Sequence, residues 1–164
     1  MSETKKVKIL FHDFELPCFI KDADTPVGGA CVRVATFSNG LISLGHKVGV
    51  LTWKGANNFV NDKQEIELFE TYNPTEGIPK LRWLYLRIPV FLKQIRKFNP
   101  DFLIIKSAGG MIGIMAIICL FTHAKLVFMV TNDIDADDRI NSRLSILNRF
   151  LYKIGLFASS SIFC

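Results

Sequence analysis

The stretch PVGGACVRVATFSNGLISLGHKVGVLT, residues 26–52, reads as a glycine-paired loop, a helix and a strand. Ala30, Val34, Phe37, Leu41 and Leu44 recur at helical spacing and predict one apolar stripe. Gly45 falls where a left-handed residue ends a helix. Lys47 to Thr52 then alternates as a strand. Gly28 and Gly29 carry no side chains, so a ligand can approach their backbone. The first N–H groups of the helix behind them are unpaired and lie at its positive end. Such a place suits a phosphate or another anion.

Outward from this stretch, strand and helix patterns alternate. Val7 to Phe11 is a short apolar run and predicts the first, central strand of a parallel sheet. His12, Asp13 and Glu15 follow at its carboxyl end, where open α/β sheets bind ligands. Leu16 to Thr25 shows no period and reads as a mobile loop over that cleft. Residues 53–64 read as a loop, Glu65 to Glu70 as a weak strand, and 72–79 as turns. In 80–98, Leu84, Ile88, Phe91, Ile95 and Phe98 fit a helical stripe. Pro89 predicts a kink or a fresh start within it. Asn99-Pro100-Asp101 ends the helix, and Phe102 to Lys106 is the next strand.

A second glycine pair, Gly109 and Gly110, opens an apolar helix over 111–121 that should be heavily buried. Residues 125–130 form a further strand, ended by Asn132 and Asp133. Leu144, Leu147, Leu151 and Ile154 mark a last helix, and residues 159–164 begin one more strand. About six strands in alternation with helices imply βαβ units with right-handed crossovers. The expected fold is α/β, a Rossmann-like parallel sheet with helices on both faces, built by residues 1–164 as a single domain.

Composition narrows the function. The chain has 164 residues, nearly half of them apolar, with 14 Phe, so a sizeable core is expected. The net charge of +5 permits an anionic ligand or surface without demanding one. Cys18, Cys31, Cys119 and Cys164 show no Cys-x-x-Cys spacing and the three histidines are scattered, so no zinc pattern appears. Reduced thiols and a cytoplasmic location follow as the expectation. The N-terminus lacks a secretory signal's apolar core. The uncharged run 107–122 falls short of the about 20 residues a membrane span needs, and it reads as a buried helix.

With Pro26, Gly28 and Gly29, then Leu41, Gly45, His46 and Val48, the opening stretch resembles the first turn of family-4 glycosyltransferases, which have the GT-B architecture. Asn99-Pro100-Asp101 before an apolar strand is similar to that family as well. The resemblance spans nearly all of the sequence but only the first half of a family enzyme. It implies the acceptor-side domain, with the C-terminal donor-binding domain absent. It further implies a retaining transferase that moves a sugar from a nucleotide diphosphate sugar to a carbohydrate or lipid-linked acceptor, as in polysaccharide biosynthesis. No cofactor and no metal are expected. Gly28 and Gly29 carry over as the loop approaching the donor's diphosphate. The family's histidine after the fifth strand matches Asn132 here, which leaves open a sugar contact or a turn cap.

Other residues have competing readings. His12 reads as an acceptor contact or an ordinary loop histidine. Asp13, Gly109, Gly110 and Asp133 are candidates at the same edge. Asp133, Asp135, Asp137 and Asp138 spell an acidic cluster, read as a solvated loop ahead of a helix in preference to a metal site. Arg82, Trp83, Arg87 and Arg96 mix cations with aromatics, as a helix lying on an anionic membrane surface does. The alternative functional reading is thus a non-enzymatic module that docks a partner chain or the inner face of a membrane. Under the transferase reading, a separate chain carrying the second domain is a further candidate partner. No nucleic-acid motif occurs, and a dinucleotide domain ranks last because Gly-x-Gly-x-x-Gly is missing after the first strand.

Overall fold

The structure, a computed structural model, describes residues 6–21, 28–59, 65–78, 81–106, 108–131 and 144–163. Six parallel strands form one sheet in the order β3-β2-β1-β4-β5-β6. These are β1 (Lys8–His12), β2 (Lys47–Thr52), β3 (Glu67–Glu70), β4 (Phe102–Lys106), β5 (Lys125–Met129) and β6 (Ser161–Phe163). The expected alternation and the central place of β1 are both found. Leu10 pairs with Gly49 on one side and Leu103 on the other, which puts β1 in the middle of the sheet.

Period-two alternation splits the apolar strand residues between two cores. Leu10, Leu51, Leu103, Ile105, Leu126 and Phe128 face one side; Ile9, Phe11, Val48, Val50, Ile104 and Val127 face the other. Helix α2 (Gly29–Ser43) covers the second side, with the short α1 (Leu16–Lys21). Helices α3 (Ile88–Phe98), α4 (Gly110–Cys119) and α5 (Ile146–Ala158) cover the first. Right-handed crossovers require this. The β1-to-β2 step runs one way along the sheet, whereas β4 to β5 to β6 runs the other. The molecule is therefore Rossmann-like, with helices on both faces.

Helix α2 stops as its sequence predicts. Gly45 adopts φ +84. Its N–H reaches the Ile42 carbonyl at 2.8 Å and the His46 N–H reaches Leu41 at 3.0 Å, a Schellman closure. The face it buries differs from the predicted stripe. Cys31, Val34, Ala35 and Ser38 are buried, while Phe37 and Leu44 are exposed. Apolar residues are spread around this helix, so spacing alone did not single out a face. Phe37 instead edges Phe163 over an apolar recess above β4 and β5.

Three further differences have local causes. Residues 16–21 form α1 rather than a loop. The Asp13 carboxylate accepts the N–H groups of Glu15 and Leu16 and caps the turn, and Leu16 is fully buried. Six residues are too few for a period to show. Leu84 is exposed although it belongs to the predicted stripe with Phe91, Ile95 and Phe98, which are buried. A π turn over Trp83–Arg87 precedes α3 and shifts its phase, as the missing N–H and the ring of Pro89 at the start of α3 favour. In α5 the buried residues are Tyr152 and Gly155, and Leu147 faces outward. Gly113 of α4 lies against the backbone of Leu151, and Gly155 lies against Ile112 and Gly113. Glycines on both helices permit this close crossing.

Candidate functional site

The chain reverses direction along the sheet at β1. Strands β2 and β3 lie to one side of it and β4 to β6 to the other, so the β1/β4 crevice is the switch point where such sheets bind ligands. Three segments meet at its carboxyl edge: the turn after β1, the end of β4 and the N-terminus of α2.

The turn after β1 is organised by Asp13, which is wholly buried. Its Oδ1 accepts from Glu15 N–H at 2.8 Å and Leu16 N–H at 3.2 Å. Its Oδ2 lies 2.8 Å from the Lys106 ammonium at the end of β4. That contact is an ion pair rather than an aligned hydrogen bond. Lys106 also reaches Glu15 Oε2 at 3.4 Å. The expectation that Asp13 faces an acceptor is therefore corrected: its carboxylate is enclosed and holds the loop and strand together.

At the start of α2, Gly28 and Gly29 are both exposed. Gly28 is the N-cap, with no side chain available to close the helix end. Among the described residues, a Cβ on Gly29 would meet nothing within 4 Å, whereas one on Gly28 would lie 3.7 Å from Glu15 Oε2. The glycine loop is thus open to solvent and flanked by the Glu15–Lys106 pair. Arg33 stands one turn further along, on the same side of α2 as Gly29. Its Nη1 donates to the Val130 carbonyl at 3.0 Å, spanning from α2 to the end of β5. Asn132 and Asp133, the candidates beyond β5, lie outside the described residues, as does the acidic run to Asp138.

Ligand atoms of Asp13, Glu15 and Cys31 lie within 4.8 Å of one another. These donors do not form a ready metal seat. The ammonium of Lys106 already supplies positive charge there. The Cys31 thiol is pushed up to about 12 by burial first and by Asp13 second, which holds it protonated.

His12 points away from this network. Its ring lies 5.0 Å from Phe14 and 5.7 Å from Phe91, and its buried Nε2 has no hydrogen-bond partner among the described residues. Burial, with the nearby charge of Lys106, pushes the imidazole down to about 4. His12 is therefore neutral at physiological pH. The second glycine pair divides in role. Gly109 caps α4, and a Cβ there would meet nothing within 4 Å among the described residues, whereas Gly110 is buried against Asn148 of α5.

The cationic aromatic group is also divided. Arg87 is only 7% exposed, so it is corrected as a surface residue. Its guanidinium stacks 4.3 Å from Tyr72 and 4.5 Å from Trp83 and donates to the Pro74 carbonyl. Arg82 is bound to the same carbonyl at 3.0 Å. Arg96 is exposed.

Sequence reasoning found the glycine loop and the β1 turn but missed Lys106 and Arg33. Lys106 had one signal, a lysine closing an otherwise apolar strand. Arg33 had none beyond its distance from the glycines.

A search of curated proteins finds no match. The model of Glycosyltransferase Family 4 matches residues 27–164, from the glycine loop through β6. That span includes the open turn, the long helix behind it and five of the six strands, and on this agreement of sequence and architecture the chain belongs to glycosyltransferase family 4.

Proposed function

We propose that this chain is the acceptor-side domain of a retaining glycosyltransferase that uses a nucleotide diphosphate sugar and glycosylates a carbohydrate or lipid-linked acceptor. Gly28 and Gly29 receive the donor's diphosphate on backbone N–H groups at the start of α2. Those dipoles stabilise the charge that grows on the leaving diphosphate as the sugar departs. Arg33, one turn along α2, adds positive charge, and Lys106 offsets the carboxylates of Asp13 and Glu15 beside the loop. The observation that carries the reading is the open space at Gly29, at the head of a long helix and on the carboxyl edge of the sheet. A second domain forms the opposite wall of the cleft and supplies most of the donor contacts. The isolated chain is accordingly inactive in sugar transfer.

Gly29→Leu tests this. A Cβ at this position meets nothing within 4 Å among the described residues, so the variant should melt close to the parent. It should nonetheless lose most of the parent's weak affinity for a nucleotide diphosphate such as UDP, read by phosphorus NMR titration. Unchanged UDP binding by a folded Gly29→Leu chain would refute the assignment of the loop.

A further inference from the structure

We propose that Arg82 and Arg87 form a seat for an oxyanion carried by the acceptor, a carboxylate or a phosphate group. The proposal rests on the transferase reading only in naming the acceptor as the bearer of that group.

The two side chains converge on one atom. Arg82 Nη1 donates to the Pro74 carbonyl at 3.0 Å, and Arg87 Nη2 donates to the same oxygen at 3.2 Å. Two cations thus meet at a neutral oxygen, which offsets their repulsion less than an anion does. Among the described residues no carboxylate pairs with either arginine. Glu76 pairs with Lys54, and the Glu70 carboxylate accepts the Asn57 N–H. Arg87 is enclosed by the fold, and its Nε has no hydrogen-bond partner among the described residues. The rings of Tyr72 and Trp83 offset part of the cost of enclosing this charge, yet they leave that donor unused.

The unused donor identifies the ligand. Nε–H and one N–H of Nη2 run parallel and match two oxygens on one carbon or phosphorus. An oxyanion takes that fork and replaces the Pro74 carbonyl between the guanidinium groups. A neutral hydroxyl in its place would leave both charges unbalanced. The carbonyl has room to give way, because residues 73–78 are all exposed.

The place fits an acceptor. The Tyr72 ring lies 5.5 Å from Phe14 of the β1 turn and 5.4 Å from Phe91 of α3. Arg87 therefore stands at the carboxyl edge on the α3 side of the sheet, whereas the glycine loop stands on the α2 side. Donor diphosphate and acceptor oxyanion are then held on opposite flanks of the β1 turn. Arg87 also closes the π turn ahead of α3, and such turns recur at functional sites.

The test is titration of the whole isotope-labelled chain with inorganic phosphate, glucuronate and glucose at one ionic strength, read at the Arg87 Nε–H resonance. Phosphate or glucuronate should move it saturably, the tighter of the two naming the acceptor's group, and glucose should not. Arg82 is partly exposed, so Arg82→Gln should keep the fold, and it should weaken the binding about tenfold or more. Arg87→Lys keeps the charge without the fork and should weaken it as much, read as a lost rise in melting temperature with the anion. The proposal is overturned if neither anion moves the resonance, if sodium chloride moves it equally, or if a folded Arg82→Gln chain binds as the parent does. It is also overturned if UDP displaces the anion from Arg87, because the arginines would then serve the donor. Gly29→Leu should leave the anion binding unchanged, and Arg82→Gln should leave UDP binding unchanged, so the two readings fail separately.

Discussion

Replacing Gly113 by Ala should destabilise the fold, although Ala is the better helix former. In an exposed helix the change gains about 0.5–1 kcal/mol, because glycine loses more backbone freedom on folding. At Gly113 the added methyl would fall on the backbone of Leu151. A backbone cannot rotate aside as the end of a side chain can, so α4 must move off α5. That shift also disturbs Gly155, whose own Cβ position is 2.7 Å from the Gly113 nitrogen. Overpacking of this kind costs about 1–3 kcal/mol, occasionally more, and an obstructing main chain belongs at the upper end. The net loss should be about 2 kcal/mol, or a fall of about 4–8 °C in Tm for a domain of this size. Gly40→Ala is the control. Gly40 lies in α2, is exposed, and has nothing among the described residues within 4 Å of its Cβ position. There only the propensity gain remains, so Tm should rise by about 1–4 °C. Urea unfolding with an unchanged slope would assign both effects to stability. A Gly113→Ala protein as stable as the parent would refute the glycine-mediated crossing of α4 and α5.

Three other expectations concern the site. His12 stays neutral in the fold down to about 4, whereas in the unfolded chain it protonates near 6.5. Between these values the unfolded state binds more protons, so stability should fall as pH drops through that window and level off below it, by up to about 3 kcal/mol. His12→Gln should remove this component from urea midpoints followed across the window; an identical pH profile would refute the buried neutral imidazole. Lys106→Met leaves the enclosed Asp13 carboxylate without its cation and should cost about 3 kcal/mol, and Asp13→Asn in the same chain should restore part of it, as a double-mutant cycle in urea would show. Glu15→Gln removes the carboxylate beside Gly28, so UDP should bind a few-fold tighter at low salt, with the gain shrinking as salt is added; weaker binding would place the diphosphate elsewhere.

By itself the sequence determined the alternation of strands and helices, the central first strand, the Gly45 stop and the bare turn before α2. All of these rest on local rules: periods of two and 3.6 residues, turn chemistry, and the absence of a side chain. It did not determine which side of each helix is buried. That choice depends on the neighbour a helix meets, so Ser38 is enclosed while Phe37 is not, and a single π turn was enough to put Leu84 in solvent. The site divides in the same way. Gly28 and Gly29 were legible as a bare turn because the absence of side chains is written in the residues. The Asp13–Lys106 pair, the bridge from Arg33 to Val130 and the burial of Arg87 between two aromatic rings were not. Asp13 follows β1 and Lys106 ends β4, strands far apart in the chain that become neighbours only because the crossovers set β4 beside β1, and no local pattern encodes that adjacency.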